Sequence, residues 1–108
     1  MNVVLAVSEK SVEKYIASFP DINVLKIVTN SKTLYKDVTE MNPHLLLVSN
    51  MLAGKEQIEN ILQRLREEQP QTRIAYLYGA DDIIRPVFTT AIPEKIATIS
   101  YLILMLKT

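Results

Sequence analysis

The sequence predicts a three-layer α/β fold in which helices cover both faces of a parallel sheet of strand order 2-1-3-4-5. Short apolar runs without polar breaks, such as residues 3–7 and 45–48, are typical of strands buried on both faces. These runs alternate regularly with segments of helical periodicity up to residue 78, which favours strand–helix–strand crossovers. The length of 108 residues suits one domain.

Four strands are predicted in the first three quarters of the chain, over residues 3–7, 24–28, 45–48 and 74–78. The helices between them each show one apolar face of 3.6-residue period. Ser8 or Ser11 can cap the first helix, and Asn30 and Ser31 can cap the second. The predicted inner faces are Val12, Tyr15, Ile16 and Phe19; Leu34, Val38 and Met41; and Ile58, Ile61, Leu62 and Leu65.

The last third of the chain is less regular. Only seven residues separate Tyr78 from Pro86, too few for a loop, a full helix and a second loop. We therefore expect the fourth helix of the alternation to be short or missing. A fifth strand is predicted over residues 86–90 at the sheet edge, where a proline is tolerated. A final helix is expected from near Pro93 to about Lys107.

Composition excludes several classes of function. Twelve basic and 12 acidic residues give a net charge of zero, which predicts no nucleic-acid partner. Cysteine is absent and His44 is the one histidine, so neither thiolate nor multi-histidine metal chemistry is expected. Both glycines lie outside phosphate-loop patterns. The longest apolar stretch has about eleven residues, whereas a membrane span needs about twenty. We expect a cytoplasmic location, with neither cofactor nor resident metal.

The third strand and the loop after it carry a family resemblance. The segment reads Pro43-His44-Leu45-Leu46-Leu47-Val48-Ser49-Asn50-Met51-Leu52-Ala53-Gly54. It resembles the response-regulator receiver segment of Pro-Asp, apolar residues, the phosphoacceptor Asp, variable residues and Pro-Gly. The resemblance puts the acceptor at Ser49, the family's methionine at Met51 and the Pro-Gly turn at Ala53-Gly54.

The same resemblance implies that the phosphorylation chemistry is lost. The family's acidic pair, which holds a divalent cation, falls near Ser8 and Glu9, leaving one carboxylate. The hydroxyl of Ser49 cannot form an acyl phosphate. Tyr78 replaces the family's Ser or Thr, and Thr90, followed by Ala91, stands where a Lys and a Pro are usual. The chain therefore resembles a degenerate receiver, or pseudo-receiver, and is not expected to be an enzyme.

These residues have other interpretations. Ser49 can be a regulatory phosphosite, a ligand hydroxyl or a strand-end residue that satisfies nearby backbone amides. His44 is interpreted as an exposed structural residue, and Asp81-Asp82 as a loop or capping pair in preference to a cation site. An alternative function is a small-ligand-binding flavodoxin-like domain. Its predicted crevice comprises Ser8, Glu9, Ser49, Asn50 and Tyr78.

The final helix predicts a protein partner, because it leaves almost no polar face. The partner is expected to be a second copy, giving a homodimer, or an adjacent ATPase or output domain. The chain ends soon after this apolar helix, which suggests one domain of a longer protein. Such domains resemble the N-terminal domains of some MinD/ParA-type ATPases of pilus assembly or localisation. The predicted interface residues are Ile83, Ile84, Phe88, Tyr101, Leu102, Leu104 and Met105.

Overall fold

Five parallel strands form the centre of the molecule, in the spatial order β2-β1-β3-β4-β5. The structure, a computed structural model, describes residues 1–78, 90–93 and 96–107. The strands are β1 (Asn2–Ala6), β2 (Asn23–Val28), β3 (Leu45–Ser49), β4 (Arg73–Tyr78) and β5 (Thr90–Pro93). The predicted fold class and strand order are therefore confirmed.

Helices cover both faces of this sheet and create two apolar cores. The described helices are α1 (Val12–Ser18), α2 (Leu34–Met41), α3 (Ile58–Glu68) and α4 (Ile96–Lys107), with 3₁₀ turns at Glu9–Ser11 and Ser31–Thr33. One core joins the sheet to α1 and α4, through residues such as Tyr15 and Ile99. The other joins it to α2 and α3, through residues such as Leu34 and Leu62.

The middle strands contribute to both cores because successive side chains of a strand point to opposite faces. In β3, Leu45 and Leu47 lie in the α1–α4 core, whereas Leu46 and Val48 lie in the α2–α3 core. Every residue of β3 is buried. This two-sided burial explains why the strand has no polar alternation in the sequence.

The inner faces of two helices are narrower than predicted. Ile16 is 44% exposed and Met41 is 36% exposed, so neither belongs to a core. In α1, Tyr15 and Phe19 take the buried space with ring centroids 6.2 Å apart. Met41 is the last residue of α2, directly before the left-handed Asn42 (φ 47°), where the helix ends.

The capping predictions have mixed outcomes. The Asn30 side chain accepts a hydrogen bond from the Lys32 N–H at 2.9 Å, as predicted for a capping residue. Neither Ser8 nor Ser11 makes a side-chain capping hydrogen bond. Their hydroxyls instead bond to each other at 3.0 Å.

The fifth strand begins later than predicted. It spans Thr90–Pro93 and pairs with β4 from Ala75↔Thr90 to Tyr78↔Pro93. Pro93 therefore ends this edge strand instead of opening the final helix, which starts at Ile96. A proline is compatible with an edge position, since the ladder there is one-sided. The predicted short or missing helix falls on residues 79–85, outside the described residues.

The two helices on the α2–α3 face are also joined at the surface. The Tyr35 hydroxyl donates to Glu68, and the Arg64 Nε lies 3.1 Å from the Glu68 Oε2. The hydrogen bond to Glu68 raises the pKa of the Tyr35 hydroxyl above its usual value. Within the part of the chain that the structure describes, no helix has the length and apolar character needed to cross a membrane.

Replacement of Leu47 by alanine tests the packing of β3. Leu47 is 0% exposed in the central strand. We expect Leu47→Ala to lower the free energy of unfolding by about 2–5 kcal/mol through lost burial and a residual cavity. Urea denaturation followed by circular dichroism measures this. Ile27→Ala, at a residue 38% exposed on edge strand β2, is the control and should cost clearly less. Equal losses for the two variants would contradict this placement of the core.

Candidate functional site

The carboxyl ends of the parallel strands meet at one edge of the sheet, where open α/β folds bind ligands. The structure places Ser8 and Glu9 just after β1, and Ser49 and Tyr78 at the last positions of β3 and β4. The order of the strands puts β1 and β4 on either side of β3. Four of the five predicted site residues therefore belong to this edge.

Ser49 has its polar group turned back onto the chain. The residue is 0% exposed, and its hydroxyl oxygen accepts the Met51 N–H at 3.0 Å. The Leu52 N–H donates to the Ser49 carbonyl at 3.1 Å, and the Asn50 N–H donates to the Leu77 carbonyl at 2.9 Å. The prediction of a strand-end residue that satisfies nearby backbone amides is confirmed. A hydroxyl that accepts a local amide stabilises a turn.

The segment after β1 brings one acidic side chain, Glu9, to this edge of the sheet. Ser8 is half-buried and hydrogen-bonded to Ser11, while Glu9 is exposed at the start of a 3₁₀ turn. Among the described residues, no group of three or more Asp, Glu, His or Cys side chains is arranged to hold a metal ion. Glu9 is thus a single surface carboxylate beside β1. The pair Asp81-Asp82 lies outside the described residues.

The placement of Thr90 at the end of the fifth strand is wrong. Thr90 is the first residue of β5 and pairs with Ala75, so it lies toward the amino end of the ladder. Ile92 and Pro93 end the strand, with Pro93 opposite Tyr78.

The loop after β3 is anchored by Leu52 and not by Met51. Leu52 is 6% exposed and joins the α2–α3 core, whereas Met51 is 65% exposed. Loops lack a periodic pattern, so the sequence does not say which of two adjacent apolar residues is buried. The structure assigns the anchoring position to Leu52.

The same loop is fastened to the segment after β2. Ala53 forms a parallel bridge with Asn30, and the Ser31 N–H donates to the Ala53 carbonyl at 2.7 Å. The Ser31 hydroxyl also donates to the Glu56 Oε2 at 3.2 Å. The segments that follow β2 and β3, the two strands on either side of β1, are thus joined to each other at this edge of the sheet.

Gly54 permits this close approach, which sequence reasoning had not found beyond its place in a turn. Its φ is +127°, and a Cβ built there would lie 2.0 Å from the Ser31 Oγ and 2.9 Å from the Ser31 N. A side chain has neither the space nor a favourable backbone conformation. The signal in the sequence was a lone glycine in a loop.

A hollow of about 420 Å³ lies beside this loop, near the start of α3. Asn50 is the only member of the predicted small-ligand crevice that lines the hollow. The lining also includes the carboxylates of Glu56 and Glu59 and the ring of Tyr76. Ser8, Glu9, Ser49 and Tyr78 do not line this hollow. His44, at the opposite edge of the sheet, is exposed and accepts the Asn2 N–H at 3.0 Å, as expected of a structural residue.

The outer surface of α4 carries the described part of the predicted interface. Tyr101, Leu104 and Met105 are 65%, 61% and 55% exposed, whereas Leu102 is half-buried against the α1–α4 core. Ile99 and Ile103 occupy the buried face of the helix. The first three residues form the α4 outer row, since residues three and four apart are neighbours on a helix. Ile83, Ile84 and Phe88 lie outside the described residues.

Solved structures with the same architecture are response-regulator domains. A DNA-binding response regulator of the LuxR family from Staphylococcus aureus matches with a TM-score of 0.76 at 12% identity, over 99% of this chain and 98% of that one. The chain has the receiver fold. The signal receiver domain of a modulated diguanylate cyclase from Desulfovibrio desulfuricans G20 matches with a TM-score of 0.74 at 18% identity, over 96% and 90% of the two chains.

The response regulator RcsB from Salmonella enterica serovar Typhimurium is also similar, with a TM-score of 0.73 at 14% identity. The match covers 99% of this chain and 60% of the RcsB chain, so the chain spans less than two thirds of that protein. That RcsB structure is bound to promoter P1flhDC, and another contains two RcsB dimers on two parallel DNAs. The expectation of no nucleic-acid partner therefore gains no support from these structures.

No protein-family model matches the sequence, and no curated protein sequence matches it. At identities of 12–18%, the likeness to receivers is one of fold.

Substitution of Gly54 tests the fastening of the loop. We expect Gly54→Ala to lower the free energy of unfolding by about 1–3 kcal/mol, since the new Cβ meets the Ser31 backbone and the φ is disfavoured. Chemical denaturation measures the loss. Lys55→Ala, at the exposed next residue, is the matched control and should change stability by less than about 0.5 kcal/mol. A Gly54→Ala protein as stable as the control would show that the loop does not approach Ser31.

Proposed function

We propose that this chain is a pseudo-receiver: a non-catalytic module that acts through protein–protein contact and without phosphoryl transfer. The receiver fold supplies the scaffold, and the α4 outer row supplies the contact surface. The proposed primary partner is a second copy of the chain. The observation that carries the proposal is the exposure of Tyr101, Leu104 and Met105 side by side on one helix.

The first support is chemical. In the receiver pattern the last residue of β3 is the phosphoacceptor, and here that residue is Ser49. Its hydroxyl is buried and accepts the Met51 N–H. A serine phosphate would also be an ester and not an acyl phosphate. Phosphorylation there would need the loop to open, because a phosphate carries up to two negative charges that have no place in a buried turn.

The second support concerns the cation. Receiver phosphorylation uses a divalent cation, and hard cations favour several charged oxygen ligands. Glu9 is the one carboxylate directly after β1, and it is exposed. Ser49 brings no second carboxylate. The loop after β3 is tied to the segment after β2 through the pairing of Ala53 with Asn30.

The third support is energetic. Full burial of a large apolar side chain stabilises by about 1.5–3 kcal/mol. Each residue of the α4 outer row leaves more than half of its surface exposed. Covering the three together is therefore worth a few kcal/mol before the entropy cost of association. Contiguous apolar surface of this kind marks interaction sites in folded proteins.

A dimer is the simplest assembly that covers this surface, since one patch then meets its own copy. The zero net charge creates no overall repulsion between copies. A cytoplasmic location, and attachment to an ATPase or output domain in a longer protein, are part of the same proposal. In that setting the module would bring two output domains together.

We expect that incubation with acetyl phosphate and Mg²⁺ leaves the chain unmodified. The reasons are the buried hydroxyl of Ser49 and the single carboxylate near β1. Intact-mass spectrometry is the measurement, with a phosphorylatable receiver treated in parallel as the positive control. A hydroxylamine-labile gain of one phosphate on this chain would overturn the non-catalytic assignment.

Charge introduced into the α4 outer row should dissociate the dimer. We expect light scattering to show a mass that rises with concentration from monomer to dimer, and Leu104→Glu and Met105→Glu each to raise the dissociation constant at least tenfold. Tenfold corresponds to about 1.4 kcal/mol, within the cost of burying a charge. Ile27→Glu, on the exposed edge strand, is the matched control and should leave the constant unchanged. A monomer at every concentration would refute self-association.

A further inference from the structure

The α4 outer row is too small to form a stable interface alone. A helix of 12 residues is about 18 Å long and about 10 Å wide. Its outward face therefore covers a few hundred square ångströms at most. Stable interfaces bury about 800 Å² per partner, roughly an eighth of the 6574 Å² surface of this chain. Any dimer through α4 must also bury a neighbouring element.

A groove beside α4 identifies that element. It has a volume of about 270 Å³ and runs between α4 and the end of α1, lined on the α4 side by Ser100, Ile103 and Leu104. The opposite wall is the segment from Ser18 to Ile22, which includes Phe19, Pro20 and Asp21. The lining is mainly apolar and includes the polar residues Ser18, Asp21 and Ser100. That chemistry suits an aromatic ring with a polar tip.

Tyr101 is such a side chain, and it lies next to the groove. It directly follows the groove residue Ser100 and is 65% exposed. The groove has the volume of about nine water molecules at about 30 Å³ each, enough for a phenol ring. A projecting ring and a receiving groove on one surface are the two halves of a self-complementary contact. Tyrosine is also enriched among residues that dominate interfaces.

We propose that two copies of this chain pair across α1 and α4, with Tyr101 of each copy inserted into the groove of its partner. This inference rests on the proposed function. In this arrangement the phenol ring packs on Phe19 and Pro20 of the partner, and its hydroxyl faces Asp21 at the groove rim. Because a two-fold axis relates the two copies, the same contact buries the Tyr101 ring of each copy. The α1 side therefore completes the interface that α4 begins.

The charges at this surface are compatible with a two-fold contact. Lys14 is four residues before the groove residue Ser18 and so lies one turn earlier on the same side of α1. Lys14 and Asp21 are both exposed, and they carry opposite charges near the two ends of the helix. A two-fold axis across α1 reverses the partner's direction. Lys14 of each copy then lies toward Asp21 of the other.

Chemical cross-linking between introduced cysteines tests the arrangement directly, because the chain has no cysteine of its own. Asp21→Cys and Tyr101→Cys proteins are purified separately, mixed in equal amounts and treated with a short bis-maleimide, whose spacer replaces the length of the phenol side chain. We expect the mixed 21–101 cross-link to form at least tenfold faster than either homodimeric cross-link. Ile27→Cys mixed with Tyr101→Cys is the control and should give no excess of the mixed product.

Filling the groove gives a second measurement with intact cysteine-free protein. We expect Ser100→Trp to raise the dimer dissociation constant at least tenfold, because the indole occupies the place of the incoming ring. Ser100→Ala should leave the constant within twofold, and circular dichroism checks that both variants fold. Tyr101→Ala should weaken the dimer as much as Ser100→Trp.

The outcomes separate this arrangement from the proposed function. Suppose that Met105→Glu abolishes the dimer, while the mixed cross-link does not form and Ser100→Trp is neutral. The α4 contact then stands and the groove arrangement is overturned, with the side of α4 away from α1 as the interface. A monomer at every concentration would overturn both. Formation of the mixed cross-link, together with loss of the dimer in Ser100→Trp, supports the arrangement.

Discussion

The burial of β3 through its last residue is the constraint on which the rest of the structure depends. All five residues of Leu45–Ser49 are buried, so the strand delivers a polar side chain into a place without solvent. A buried hydroxyl must find a hydrogen-bond partner within the protein. Ser49 finds it in the Met51 N–H, and this bond sets the turn that follows. Leu52 then enters the core, and Gly54 comes against Ser31.

The same constraint links fold to proposed function. A carboxylate at the end of β3 would need a cation or basic partner, and the edge around it would have to stay open to a phosphoryl donor. Ser49 needs neither a charged partner nor an open edge. The loop after β3 is free to pair Ala53 with Asn30 in the segment after β2. What remains exposed and apolar is the α4 outer row, on a different part of the surface. In our proposal, the fold keeps the receiver's contact surface and gives up its chemistry.

The central part of the fold was predictable from the sequence for a physical reason. Strands β1, β3 and β4 are covered on both faces, which requires continuous apolar runs that are easy to find. Edge strand β5 is short, and its pattern is obscured by two prolines, Pro86 before the strand and Pro93 at its last position. The prediction therefore placed it at residues 86–90, whereas the structure has it at Thr90–Pro93. Helical periodicity correctly predicts burial of Leu62 and Leu65. It also predicts burial of Ile16 and Met41, which are exposed, because local packing and the position of the helix end decide burial there.

For the candidate site, the sequence predicts which residues end the strands but not the contacts that their side chains make. The resemblance identified Ser49 as the residue that ends the third strand, which β3 confirms. It did not reveal where the hydroxyl points, nor that Leu52 in place of Met51 is the buried anchor. The contact of Gly54 with Ser31 joins residues far apart in the chain, so no local pattern signals it. The exposed row on α4 followed from the excess of apolar residues over what one sheet face can bury.

The central claim is that assembly, and not phosphorylation, is the working chemistry of this domain. Sedimentation equilibrium of the unmodified chain, with and without Mg²⁺ and beryllium fluoride as a phosphoryl mimic, measures it most directly. The account predicts a reversible monomer–dimer equilibrium with one dissociation constant, identical in the two conditions. A dimer that forms only when the phosphoryl mimic is present would contradict it.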